Sequence, residues 1–335
     1  TSDAASSAAG EASAAASEAA PEAAGTTYKV GIVKYVDDAS LDQIQQAIQD
    51  ELDAKSAELG VTFDYADYTK NGQADSTTLN QIAADLIADG VDIIIPIATP
   101  AAAVMQTATE ENQIPVVFAA VSDRVGAGLV DSLDAPGSNI TGTSDALNAK
   151  AVIDLMLAAN PDLKKLGLLY DQSQDSSKLA ISEALAYCEE KGIETVEKTG
   201  TTNGELSMAA EALIAEGVDA VFTPTDNTVM TAELAIYEKF QEAKIPHYAG
   251  ADSFALNGAF CGYGVNYVTL GTATADMAVE ILVNGAKPAE TAVQIMSSGI
   301  ATVNTETAEA VGLDYAVFQD MCEELKETTT MESFE

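Results

Sequence analysis

The residues of this chain best suited to hold a small polar molecule are hydroxyls, carboxylates and amides that follow apolar, β-branched runs. Four runs end this way: Asp92–Ala102 (DIIIPIATPAA), Ile114–Asp123 (IPVVFAAVSD), Asn139–Asp145 (NITGTSD) and Asp219–Asn227 (DAVFTPTDN). In the first, Pro100 suits the opening turn of a helix, because its fixed φ matches that position. The N–H groups of Ala101 and Ala102, with the Thr99 hydroxyl, then point out of the helix mouth and suit a carboxylate. Ser144-Asp145 and Asp226-Asn227 also open helix patterns, so each Asp either caps its own helix or accepts from a ligand ammonium. Asn227 either accepts likewise or donates to a carboxylate. Asp175-Ser176-Ser177, after LLYD, forms one more helix mouth.

Other chemistries find little support. Neither G-x-x-x-x-G-K-[ST] nor G-x-G-x-x-G occurs, and Gly126-x-Gly128 lacks the rest of that fingerprint. With 53 acids in 335 residues, paired carboxylates say nothing about acid–base catalysis. Cys188, Cys261 and Cys322 are odd in number, widely spaced and without Cys-x-x-Cys, so no disulfide or metal framework is implied. Cys188 and Cys322 sit among acids, whereas a thiolate nucleophile wants basic surroundings. His247, the single histidine, is the one candidate for any metal site or Ser-His-Asp triad. Arg124, the single arginine, is either a strong carboxylate clamp in a cleft or a loop residue. No cofactor, no metal and no catalysis are expected. The net charge of −38 argues against nucleic acid and against an anionic membrane surface.

These residues need a scaffold, and the alternation of patterns describes one. Strand Tyr28–Val36 precedes a helix running from a Ser40 cap to Gly60. Strand Val61–Tyr68, helix Asp75–Ala88, strand Val91–Ile97, helix Pro100–Glu110 and strand Ile114–Ala119 follow. The rhythm restarts at Leu163 and runs to IPHYAG. Continuous apolar strands alternating with helices predict doubly wound parallel sheets, an α/β architecture of two Rossmann-like lobes. Gly60, Gly90, Gly192 and Gly217 are placed to end helices. Ligands of such sheets sit outside the strands' carboxyl ends, where the polar clusters fall. The expected lobes are residues 28–142 plus 267–295 and residues 143–266 plus 296–325. Residues 1–26, almost all Ala, Ser, Glu, Gly and Thr, are expected to form a flexible acidic tether, and residues 326–335 a frayed tail. Tyr35, Phe118, Tyr170, Tyr263 and Tyr267 lie at or near strand ends, as an aromatic wall or as core; Phe118 is better read as core.

The runs IATPAA, IPVVFAAVSDRVGAGLV, PGSNITGTSD, YDQSQDSS and TPTDN, in order over about residues 28–320, resemble the extracytoplasmic solute-binding proteins of ABC transporters. The group resembled is linked to tryptophan and tyrosine uptake. The resemblance implies a type I periplasmic-binding-protein fold that closes on an aromatic amino acid and delivers it to a permease. It implies ligand roles for Thr99, Pro100 and Ala101 from the first lobe, Ser144 and Asp145 at the crossover, and Ser176, Asp226 and Asn227 from the second. Asp175 stands where an asparagine is common, Arg124 where a proline is usual, and Asp38 where a histidine is usual. Tyr35 and Tyr263 complete the expected site, with Asp226 as the ammonium partner and Asp145 mainly a cap. A monomer is expected, held outside the cytoplasm, with membrane contact only through an N-terminal lipid anchor of Gram-positive type. The rivals are a regulator's effector domain, an enzyme on the same sheet, and a binding protein for a branched-chain amino acid, nucleoside or sugar. The absence of Trp disfavours the sugar.

Overall fold

The computed structural model describes residues 25–333. The chain begins with β1 (Thr27–Lys34), α1 (Ala39–Leu59), β2 (Thr62–Asp64), β3 (Thr69–Asn71) and α2 (Ser76–Asp89). It continues through β4 (Ile93–Ile97), α3 (Thr99–Thr109), β5 (Val116–Phe118) and β6 (Ile140–Ser144). A second run holds α4 (Ala149–Ala159), β7 (Lys165–Tyr170), α5 (Asp175–Lys191), β8 (Glu194–Thr199), α6 (Asn203–Glu216) and β9 (Ala220–Thr223). It closes with α7 (Asn227–Glu242), β10 (His247–Ala249), α8 (Asp252–Leu256) and β11 (Cys261–Gly264). The chain then returns through α9 (Tyr267–Asn284) and β12 (Gln294–Ile295), and finishes with β13 (Ile300–Asn304), α10 (Thr305–Val311) and β14 (Glu324–Thr328).

Two seven-stranded sheets result. The first is parallel throughout, in the order β12-β6-β5-β4-β1-β2, with β3 also pairing β1. The second runs β14-β13-β11-β10-β9-β7-β8, and only β11–β13 is antiparallel. Strands such as β4 (IIIPI) are buried along their whole length, which is why they read as unbroken apolar runs. Gly60, Gly90, Gly192 and Gly217 close their helices in the left-handed conformation. The chain passes between the sheets at 145–148, 265–266 and 296–299. One buried apolar cluster runs from Ile32 and Ile48 in the first lobe to Val229 and Phe254 in the second, so the lobes are closed on one another.

Several expectations need correction. The strand expected over Val61–Tyr68 is two short strands around a 3-10 turn, Ala66–Tyr68. Both pieces bond to β1 in succession, at Thr27–Lys29 and at Ile32–Lys34. No helix starts at Ser144: β6 runs through it, because Thr143 and Ser144 pair with Gln294 and Ile295. The first sheet thus extends past residue 142, and α4 begins five residues after Ser144 under an Asn148 cap. The expected tail begins inside a strand, since β14 (Glu324–Thr328) covers the free edge of β13. Met331 N–H then bonds Leu256 O, and Asn257 donates to Met331 O. The expected tether falls outside the described residues except at its end, where Gly25 N–H bonds Gly60 O.

Candidate functional site

Between the lobes lies a small cavity with a free volume of about 10 Å³, room for little more than one water. The N-termini of five helices reach it: Ser40 and Leu41 from α1, Thr99 from α3, Ser176 from α5, Asn227 and Met230 from α7, and Tyr267 from α9. Ala98, Ala120, Ser122, Asp145 and Thr225, from the connections after the strands, complete the wall. Converging helix N-termini make the field positive and favour an anion.

The helix caps show where an anion fits. Eight helices among the described residues have eight or more residues. In six of them a side chain caps the first turn: Asp38, Asp75, Asn148, Thr202, Asp226 and Asn266. The exceptions are α3 and α5, whose caps Ala98 and Gln174 make no side-chain cap bond. Both open on the cavity, one from each lobe. Each also carries a buried hydroxyl without a partner, Thr99 Oγ1 and Ser176 Oγ. Buried polar atoms are almost always paired, so two orphans facing each other across one cavity mark a place for a polar ligand group.

Asp145 is the one charged side chain on the cavity wall. Ser122 Oγ donates to its Oδ1 at 2.9 Å, and Asn148, not Asp145, caps α4. Burial pushes its carboxyl up to about 6, while the Ser122 bond and the Arg124 charge act against that rise. Burial pushes Asp226 up to about 6 as well, but its oxygens are all engaged. Its Oδ1 accepts from Thr228 N and Val229 N, and its Oδ2 from Asp171 N (2.8 Å) and Ser177 Oγ (2.6 Å). With both oxygens occupied, and off the cavity wall, Asp226 is a helix cap. The geometry thus gives the cap to Asp226 and leaves the Asp145 carboxylate on the cavity wall.

Of the other expected residues, Thr99, Ser176 and Asn227 line the cavity, and Asn227 Nδ2 donates to Gln174 Oε1 at 3.0 Å. Pro100 occupies the opening turn of α3 and Ala101 is buried behind it; neither is on the wall. Ser144 is buried in β6, where its Oγ accepts from Arg124 Nη1 at 2.7 Å. Tyr35 lines a neighbouring polar cavity with Ala74, Gln174 and Asn227, and burial pushes its phenol up. Tyr263 packs in the second lobe's core. Asp38 caps α1, accepting from Ser40 N at 2.8 Å, and burial pushes it up to about 6. Ser40, read as that cap, instead lies in the first turn and donates to Asp252 Oδ1 across the cleft at 2.6 Å.

Ser40, Leu41 and Met230 were not expected on the wall, and Ala98, Ala120, Ser122 and Thr225 lie in the polar-ended runs without having been singled out. The first two follow from the helix-mouth rule once Asp38 is recognised as the cap. Ala98 and Ala120 carry no signal in their side chains, yet both have positive φ, 80° and 55°. Such backbone strain in alanine clusters at functional sites. Tyr267, one of five aromatic candidates, is the aromatic residue on the wall.

The family model described as ABC transporter substrate binding protein matches residues 29–317. A tyrosine-binding protein of Clostridioides difficile is 30% identical over 286 residues, covering 85% of this chain and 81% of that protein. Among solved structures, an ABC domain from Streptococcus pneumoniae in complex with L-Trp is 31% identical, with TM-score 0.82 over 90% of this chain and all of that one. A ligand-free, open substrate-binding protein from Clostridium difficile is 30% identical, with TM-score 0.69 over 91% of this chain and 100% of the other. At nearly equal identity, the better overlap with the L-Trp complex matches the closed lobes seen here. The α/β fold with two parallel-sheet lobes is that of the periplasmic-binding-protein-like solute-binding proteins, and its family binds substrate rather than transforming it. The chain belongs to the ABC transporter substrate binding protein family.

Proposed function

We propose that the protein captures one L-amino acid with an aromatic side chain in this cavity and presents it to the permease of an ABC importer. One observation carries the reading: an unpaired carboxylate oxygen of Asp145 and the orphan hydroxyls at the uncapped mouths of α3 and α5 share one small cavity. An α-amino acid has the complementary pair, an ammonium for Asp145 and a carboxylate for the two helix mouths. Leu41, Met230 and Tyr267 supply apolar wall for the side chain. The aromatic preference is supported by the tyrosine-binding relative and the neighbour with L-Trp. We infer that the protein works outside the cytoplasm, as substrate-binding proteins of ABC importers do, and as a monomer. The Ala/Ser/Glu composition of residues 1–26 suits a tether to a lipid anchor.

A thermal-shift screen of the twenty amino acids tests this, because a ligand that binds the native state stabilises it by mass action. Trp, Tyr or Phe should raise the melting temperature, with affinity of about micromolar or better, roughly −8 kcal/mol. No shift with these three, and a clear one with a branched-chain amino acid, nucleoside or sugar, would overturn the proposal.

A further inference from the structure

We propose that Arg124 is the positioning residue of Asp145: its buried guanidinium, linked to the carboxylate through Ser122 and Ser144 rather than by contact, keeps Asp145 charged and free to take the ligand's ammonium. The proposal rests on the reading of Asp145 as ammonium partner given above.

Arg124 is 8% exposed. Its Nη1 donates to Ser144 Oγ at 2.7 Å and to the Ser122 carbonyl at 3.1 Å. Ser122 Oγ in turn donates to Asp145 Oδ1, and Ser144 is the residue before Asp145 on β6. One guanidinium therefore fixes both segments that hold the carboxylate. Among the described residues no carboxylate lies within 4.0 Å of it, although Asp123 and Asp145 both bear on its charge. In a chain of net charge −38, a surface arginine would find acids on every side; this one is held away from them.

The separation has a chemical consequence. A buried carboxylate without a nearby cation takes up a proton and loses its hold on an ammonium. A cation in direct contact would occupy the oxygens that the ligand needs. Arg124, one serine away on each path, supplies the field without using the lone pairs, and it remains charged wherever the protein is folded. The other titratable groups near this pair are Asp123, beside Arg124, and Tyr267 from α9. Tyr267 also faces Asp38 and Asp252, and burial pushes its phenol well above the usual range, so it stays neutral.

The test is the pH dependence of L-tryptophan binding, read from the ligand's own fluorescence in a chain that has no Trp. The natural chain should lose affinity as pH falls through about 6, where Asp145 protonates. Arg124→Gln keeps a hydrogen-bonding side chain but not the charge, and should raise that midpoint by about one pH unit, with affinity recovering at pH 9. Arg124→Lys should keep the midpoint. A Gln variant with an unmoved midpoint, or a Lys variant shifted as far as Gln, would overturn the proposal. Asp145→Asn separates the two readings. If it binds with the natural affinity and pH profile, the ammonium reading falls and takes the proposal with it. If it abolishes binding while Arg124→Gln leaves the midpoint in place, the proposal alone falls. Melting curves without ligand give an independent check. Arg124→Gln should lower the melting temperature more at pH 8 than at pH 5, and Asp145→Asn should erase that difference; equal losses at both pH values contradict the proposal. Arg124→Met serves as the neutral variant if Gln fails to fold.

Discussion

The site depends on two aspartates with different work, and variants can separate them. Asp145→Asn should weaken binding by about 2–5 kcal/mol, the usual loss when a buried charge pair is broken. It should also raise ligand-free stability at pH 7–8. A carboxyl held near 6 when folded, and near 4 when unfolded, binds more protons folded between those values, so stability falls as pH rises through that window. Removing the ionisable group should recover about 3 kcal/mol at neutral pH. Asp226 is raised to about 6 by burial too, but Asp226→Ala should still destabilise, by more than the ~1 kcal/mol of a lost cap, because Asp171 N and Ser177 Oγ lose their acceptor. Calorimetry and melting curves on both variants check the contrast; matched effects would contradict it. Thr99→Val and Ser176→Ala should leave stability nearly unchanged, since neither hydroxyl has a partner to lose. Each should cost about 1.5–3 kcal/mol of amino-acid affinity, the range expected for a hydrogen bond to a charged group.

At the scale of elements, helix mouths define the cavity, and their placement depends on close backbone packing. Gly271 on α9 shows how close: a Cβ there would lie 2.7 Å from both Ala47 Cβ and Ile44 O of α1. Gly271→Ala in an open helix would gain about 1 kcal/mol from propensity. Here overpacking should outweigh that gain, for a net loss of about 1–2 kcal/mol in chemical denaturation. The alternation of strands and helices was legible in the sequence because buried parallel strands are unbroken apolar runs and glycines mark the helix ends. β14 was not legible, because ELKET is mostly exposed and polar and is held by backbone bonds to the edge of β13. The site was half legible for a related reason. Thr99, Ser176, Asn227 and Asp145 carry hydroxyls, amides or acids at helix mouths, whereas Ala98 and Ala120 contribute backbone shape. Which of the two aspartates caps a helix is decided by neighbours: Asn148, three residues after Asp145, takes the cap of α4, and Ser177 and the Asp171 N–H, far off in sequence, occupy Asp226.

The whole molecule is closed around its cavity. Ser40 Oγ and Gln43 Nε2 from the first lobe hold Asp252 of the second at 2.6 and 3.0 Å, and Tyr35 meets Gln174 on another side of the cleft. The free space left in this closed state is smaller than an aromatic amino acid, so binding as proposed requires the lobes to part and then to close less tightly on the ligand. A ligand bridging both lobes favours the closed state by its differential affinity. Saturating L-tryptophan should therefore lower the radius of gyration measured by small-angle scattering, and an unchanged radius would contradict closure on the ligand. The central claim concerns both ends of the amino acid, and calorimetry with three related compounds tests it most directly. L-Tryptophan should bind at about micromolar affinity. Tryptamine, which lacks the carboxylate that α3 and α5 would hold, and indole-3-propionate, which lacks the ammonium for Asp145, should each bind at least about 100-fold more weakly, near 3 kcal/mol. Equal affinity for either analogue would show that the helix mouths or Asp145 do not read the amino acid as described.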